Sequence, residues 1–158
     1  MIILYTNADC LSNKLMELQT LAYIEKPEII IVTEILPKHS ILGKIQEHEW
    51  QINGYNHITS DLGEKTRGII IYAKKTMSID KVEISSNFKE FLFTKVTVIQ
   101  PNGQEQKLYI LAVYRSPNST DRNNGDLNEL IDLISNKHNV EKLIIAGDFN
   151  YGKIKFCE

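Results

Sequence analysis

The sequence predicts a mixed-sheet α/β (α+β) sandwich flanked by helices, and three observations carry that expectation. Short β-branched apolar runs recur along the chain, two stretches between them carry apolar residues at helical spacing, and one pair of strand-like runs brackets an Asn-Gly turn. Continuous apolar runs fit strands covered on both faces, whereas Asn-Gly fits a tight hairpin, so buried strands and antiparallel pairing are expected together. At 158 residues, 42% hydrophobic and 24% charged, the chain is long enough for one core. No repeat, low-complexity tract or Gly/Ser-rich linker divides it, so residues 1–158 are read as one domain.

The elements follow in order. Met1-Ile-Ile-Leu-Tyr5 reads as a short strand that opens the domain and runs into polar Thr6-Asn7-Ala8-Asp9. Leu11, Leu15, Leu18 and Ala22 share a helical face, which predicts a helix from about Leu11 to Ile24, with Asp9, Ser12 and Asn13 as cap candidates and Pro27 as terminator. Glu28-Ile-Ile-Ile-Val-Thr-Glu34 is a continuous run of the kind buried on both faces, with Glu34 at its carboxyl end. Ile35 to Thr66 is polar and irregular and is expected to be a loop with a short helix. Ile69 to Tyr72 is a further strand, and Ile79 to Ile84 extends the sheet. Phe91 to Ile99 and Leu108 to Tyr114 form an antiparallel pair about Pro101-Asn102-Gly103. Arg115 to Gly125 reads as a loop, followed by a helix whose apolar face holds Leu127, Leu130, Ile131, Ile134 and His138 and whose cap is Asp126. The last run, Lys142-Leu-Ile-Ile-Ala-Gly-Asp-Phe-Asn150, reads as a buried strand that breaks at Gly147 and presents Asp148 and Asn150.

Bulk properties narrow the function classes. A net charge of −2 gives no basic excess, so any contact with a polyanion must be local or metal-assisted. Cys10 and Cys157 have no partner spacing, which argues against a disulfide framework or zinc site and fits a reducing compartment. No run approaches the roughly 18 apolar residues that span a bilayer, and no signal-peptide pattern opens the chain, so the expectation is a soluble intracellular protein without membrane association.

Candidate chemistry gathers at strand ends. Asn7, Glu34, Asp148 with Asn150, and Tyr114 with Arg115 each terminate a strand-like run, and in α/β sheets the crevice beyond the carboxyl ends of strands is the usual ligand site. Extended backbone would point Asp148 and Asn150 the same way while Phe149 turns into the core. An Asp can hold or deprotonate a water, and an Asn amide can donate to a phosphate oxygen. Glu34 can bind a divalent hard cation through one carboxylate, although a lone strand-end Glu is commonly just solvated. Asn after a strand is usually a turn former; a Tyr-Arg pair can contact phosphate or can be a core aromatic beside a surface charge. His39, His48 and His57 fall in the polar loop region without metal-ligand spacing, and His138 sits on a helix face, so none is assigned as a catalytic imidazole.

Taken together, Tyr5-Thr-Asn-Ala-Asp-Cys-Leu-Ser-Asn-Lys14, Ile31-Val-Thr-Glu34, Arg67-Gly-Ile-Ile-Ile-Tyr72, Val113-Tyr-Arg-Ser-Pro-Asn118 and Ala146-Gly-Asp-Phe-Asn150 resemble the endonuclease/exonuclease/phosphatase family. More narrowly, they resemble the N-terminal endonuclease domain of retrotransposon reverse transcriptases that lack long terminal repeats. The resemblance implies a deoxyribonuclease-like fold of two packed mixed sheets flanked by helices, and metal-dependent phosphodiester hydrolysis of DNA with Mg2+, or Mn2+ in its place. It implies that Glu34 binds the metal and Asn7 supports it, that Asp148 activates water, and that Asn150 and Tyr114 contact the phosphate while Arg115 and Asn118 line the groove. It also implies a reverse transcriptase C-terminal to the domain and a nuclear site of action on genomic DNA.

Members of that family continue beyond the Gly-Asp-x-Asn strand into a second half with another catalytic Asp and a Ser-Asp-His motif. This chain ends at Glu158, so the expectation is a domain truncated before its second half and impaired in nicking, since groups that act as a unit lose rate together. Two other readings stand beside it: a phosphatase or exonuclease of the same superfamily, and a non-catalytic module that binds nucleic acid or protein.

Overall fold

A computed structural model describes residues 1–38, 47–63, 66–137 and 142–151. The first sheet is built from β1 (Ile3–Asn7), β2 (Ile29–Thr33), β3 (Tyr55–Thr59) and β4 (Ile69–Lys74) in the order β1-β2-β4-β3. The second holds β5 (Ser78–Lys81), β6 (Phe91–Ile99), β7 (Glu105–Tyr114) and β8 (Leu143–Asp148) in sequence order. Helix α1 (Leu11–Glu25) connects β1 to β2, and α2 (Asp121–Lys137) connects β7 to β8. Those two pairs are parallel and all others antiparallel, as the crossover helices require and as tight turns elsewhere allow.

Burial explains the layers. Ile29, Ile31, Ile69 and Ile71 alternate toward the second sheet and meet Leu92, Val96, Ile110 and Ala112. The opposite faces of the same strands, Ile30, Val32, Ile70 and Tyr72, pack under Leu11, Leu18 and Ala22 of α1 and Trp50. This two-sided burial is why β2 and β4 read as unbroken apolar runs; each such side chain contributes roughly 1.5–3 kcal/mol when removed from water. On the outer face of the second sheet, Phe93, Leu111 and Val113 receive Leu127, Leu130 and Ile134 of α2. The result is a helix-sheet-sheet-helix sandwich, which is the predicted fold class.

Several local expectations change. Tyr55–Thr59 forms a strand where a loop with a short helix was expected; the short helix is the 3-10 turn Glu47–Trp50. Ile58 alone gives that strand little apolar signal, and its pairing with β4 supplies the missing stabilisation. The Ile79–Ile84 run yields only Ser78–Lys81, and it borders the second sheet beside β6. No side chain caps α1: its leading N–H groups at Cys10 and Leu11 donate instead to Glu34 O and Ile35 O, 2.8 and 3.0 Å away. Helix α2 starts at Asp121, so Asp126 and Gly125 lie inside it, and Thr120 Oγ1 accepts the Asn123 N–H at 3.3 Å. The cost of about 1 kcal/mol for an internal glycine is outweighed by burial of the apolar face that follows. Strand β8 borders its sheet with Ile145 exposed, contrary to the buried strand expected, because it pairs with β7 on one side only among the described residues. His39, His138 and Cys157 lie outside the described residues; His57 packs its ring on Tyr72, and Cys10 is a buried free thiol.

Candidate functional site

The carboxyl ends of β1, β2, β7 and β8 meet at one end of the seam between the sheets. Parallel pairing places Asn7 beside Thr33 and Tyr114 beside Asp148, and the sandwich then brings the two pairs together. Backbone in the left-handed region concentrates here: Asp9, Cys10, Glu34 and Asn150 have φ of 43°, 93°, 55° and 48°. Such conformations in non-glycine residues are costly and persist where surrounding contacts dictate them. Ladder-like bonds from Ala8, Cys10 and Leu11 to Thr33, Glu34 and Ile35, at 2.8–3.0 Å, impose the turn that follows β1 and hold Glu34 in its twist.

Asn7 is the link between the sheets. Its Nδ2 donates to Glu34 Oε1 at 2.8 Å and to Asp148 Oδ2 at 3.1 Å, while Oδ1 accepts the Asp9 N–H at 3.0 Å. Two acceptor-only carboxylates on one side oblige the amide to face them with its NH2 group. The structure places Asn7, expected to support the metal, between the two carboxylates with its NH2 group toward them. Its oxygen is spent on the turn, and its role is to hold two like charges together.

Glu34 is 9% exposed and heavily engaged. Beyond Asn7, it receives Arg67 Nη2 on Oε2 at 2.5 Å, with the two side chains only 11% and 12% exposed, and the Tyr114 hydroxyl. Arg67 Nη2 also reaches Asp9 Oδ1 at 2.7 Å; that carboxylate is 63% exposed, so solvent screens this contact more. The Arg67 guanidinium holds the Asp9 carboxyl below its usual range. Arg67 Nε is buried without a partner among the described residues, and the Arg67 backbone N–H donates to Glu90 Oε1 at 3.2 Å. Burial pushes Glu90 up to about 7, against the pull of Arg67. Burial, reinforced by the Glu34 charge, likewise pushes the Tyr114 phenol up to about 12, so it stays protonated and donates.

The β7 and β8 ends are clamped differently. Buried Arg115 donates from Nη1 to Asn150 O at 2.8 Å and Phe149 O at 3.2 Å, and from Nε to Asn124 Oδ1 at 2.8 Å; its guanidinium lies 4.0 Å from the Tyr151 ring centre. Asn150 Nδ2 returns a bond to Arg115 O at 2.8 Å. Asn150 thus does not simply repeat Asp148 two residues on: its left-handed backbone breaks the extended period, although Phe149 does turn toward the core beneath α2. Arg115 is a buried clamp rather than a groove-lining charge, and Asn118 sits exposed on the turn beyond it. Gly147 permits the close approach of the strands; a Cβ there would lie 1.9 Å from Val113 O.

Asn7, Glu34, Tyr114 and Asp148 are thus brought together, with Asn150 and Arg115 one step behind. Sequence reasoning missed Arg67 and Glu90. Arg67 lies in a noted motif, but its charge ahead of an apolar strand says nothing of a partner 33 residues upstream, and Glu90 carries no signal at all. The donor set fits a hard cation of the Mg2+ type: it offers two carboxylates, and no group of three or more His, Cys, Asp or Glu side chains forms a cage among the described residues. Mg2+ characteristically binds through one or two carboxylates, keeping waters and substrate oxygens in its other positions.

Two mixed sheets packed between helices, with parallel pairs ending at a shared pair of carboxylates, define a deoxyribonuclease-like fold. The particular structures it is similar to are the catalytic domain of Xenopus laevis APE2 (16% identity, TM-score 0.65, 95% of this chain and 58% of that one) and a 3'-5' exonuclease, NExo, from Neisseria meningitidis (18%, 0.65, 95% and 58%). The endonuclease domain of TRAS1, a telomere-specific non-LTR retrotransposon, is similar over 94% of this chain and 59% of that one, at 16% identity and a TM-score of 0.62. The chain therefore spans less than two thirds of each. No family model and no curated protein matches the sequence.

Proposed function

We propose that this chain supplies the first part of a Mg2+-dependent phosphodiesterase site that nicks DNA. The observation that carries the reading is the Asn7 amide tying Glu34 from one sheet to Asp148 from the other at the carboxyl ends of the strands. Glu34 would hold the divalent cation, which when bound neutralises charge on a phosphate oxygen. Asp148, with Oδ2 fixed by Asn7, orients and deprotonates the attacking water. The second Nδ2 hydrogen of Asn150 donates to a phosphate oxygen, and the Tyr114 hydroxyl, whose one hydrogen points at Glu34, contacts the phosphate by rotating away from that carboxylate. Arg115 acts through Asn150 by fixing its backbone, and Asn118 contacts the nucleic acid from its exposed turn.

The site is half of what the reading requires. The chain matches less than two thirds of the length of the similar structures, and the family resemblance puts another Asp and a His after the Gly-Asp-x-Asn strand. The 158-residue chain is therefore expected to bind Mn2+ through Glu34 while relaxing supercoiled plasmid at no more than a trace rate with Mg2+. Loss of Mn2+ binding in Glu34→Gln supports the site. Rapid plasmid nicking abolished by Asp148→Ala would show that the chain is not impaired, and absence of any divalent-cation binding would overturn the phosphodiesterase reading. The retrotransposon assignment rests on the Val113–Asn118 motif and the likeness to the TRAS1 domain, and a reverse transcriptase encoded in frame downstream is its test. The likeness to NExo keeps an exonuclease or phosphatase as the second reading, which turnover of a nucleotide phosphomonoester panel by the extended protein would favour.

A further inference from the structure

A carboxylate has two oxygens and about four acceptor directions. On Glu34 three are taken: Asn7 Nδ2 on Oε1 at 2.8 Å, Arg67 Nη2 on Oε2 at 2.5 Å, and the Tyr114 hydroxyl. Arg67 is not free to swing away. Its Nη2 bridges to Asp9 at 2.7 Å, its backbone N–H is held by Glu90 at 3.2 Å, and its side chain is 11% exposed beside a Glu34 side chain at 12%. Oε2 therefore already carries a cationic partner, whereas Oε1 carries a neutral amide.

We propose that Arg67 is a positioning residue that restricts Glu34 to a single-oxygen bond with a divalent cation, and thereby sets the site's preference for Mg2+ or Mn2+ over Ca2+. The inference rests on the reading of Glu34 as the cation-holding residue. Mg2+ and Mn2+ accept single-oxygen carboxylate bonds in octahedral shells completed by water. Ca2+ gathers six to eight oxygens and commonly takes both oxygens of a carboxylate. With Oε2 covered by a guanidinium that also bridges to Asp9, Glu34 withholds the second oxygen that Ca2+ would use.

The test is competition binding on the full chain, with Mn2+ followed by its electron paramagnetic resonance signal and displaced by Mg2+ or Ca2+. Wild type is expected to prefer Mg2+. Arg67→Met is expected to raise the Ca2+-to-Mg2+ affinity ratio roughly tenfold, and Arg67→Lys, whose ammonium covers Oε2 without the bridge to Asp9, about threefold. Lys74→Met, which removes an ion pair to Glu28 outside the site, is expected to leave the ratio within about twofold. Circular dichroism reports which variants fold; if Arg67→Met does not, the charge-conserving Lys variant carries the comparison. An unchanged ratio in a folded Arg67 variant overturns the proposal while leaving the cation site intact, and so does a wild-type chain that binds Ca2+ more tightly than Mg2+. A wild-type chain that binds no divalent cation removes the underlying site and the proposal together.

Discussion

The chain builds the same strand-helix-strand unit twice and uses it in two ways. In β1-α1-β2, polar residues at the strand ends turn their side chains into the seam, where Asn7 and Glu34 meet Asp148 and Arg67. In β7-α2-β8, Arg115 and Asn150 mainly grip each other's backbone, leaving Asp148 and Tyr114 as the groups that face the first unit. Topology therefore brings strand ends together, while local backbone conformation decides which become chemical groups and which become scaffold. Stability should accordingly be most sensitive in the second unit and cation binding in the first.

The sharpest way to break that division is Gly147→Ala. Its Cβ would collide with a backbone oxygen, Val113 O, which cannot move without loss of the β7–β8 pairing, and φ of 148° adds strain. A loss of more than about 4 kcal/mol, or failure to fold, is expected in urea unfolding. Arg115→Ala should cost about 3 kcal/mol, since it strips a buried cation from the carbonyls of Phe149 and Asn150. A loss below about 0.5 kcal/mol would return Arg115 to the role of a surface charge.

Glu90 lies between the units: its side chain accepts from Arg67 N, and its carbonyl accepts the Tyr114 N–H at 2.9 Å. Folding raises its pKa from 4.5 to about 7, so the folded chain holds the proton more tightly than the unfolded one. This contribution to stability is complete below pH 4.5 and is lost as pH rises through 7. After allowance for partial exposure, the loss amounts to about 2 kcal/mol. Glu90→Gln should flatten the corresponding part of the unfolding-midpoint profile between pH 5 and 8; an unchanged slope would assign it to another group. The smallest stability effect is expected from Asn7→Ala, about 1 kcal/mol, because the site is partly open. The same variant should weaken Mn2+ binding, as Glu34 and Asp148 lose the donor that holds them together, and that pairing of a small stability loss with a functional one marks the first unit.

Much of this was legible in the chain itself. The β-branched runs of β2 and β4, the Asn-Gly hairpin and the helical face of α1 follow from periodicity because burial on defined faces forces those patterns. The residues Asn7, Glu34, Tyr114 and Asp148 were visible as polar groups ending apolar runs. The β3 strand was not, because its pairing partner rather than its composition stabilises it; α1 starts at Leu11 as expected but is capped by backbone carbonyls after β2, and the α2 start shifted because Thr120 serves where Asp126 was expected.

Sequence alone determined that β2 and β4 are buried and which residues stand at the strand ends, since both are consequences of local pattern and of the hydrophobic effect acting on it, whereas the exposed border position of β8 came from the sheet order. Only the tertiary structure decided that Asn7 presents its NH2 to both carboxylates, that Arg67 covers one oxygen of Glu34, and that Arg115 turns inward onto the chain. These are contacts between residues 27 to 141 positions apart, fixed by the packing of one sheet on the other and by the positive φ angles of Asp9, Cys10, Glu34 and Asn150. No periodicity in the chain encodes them.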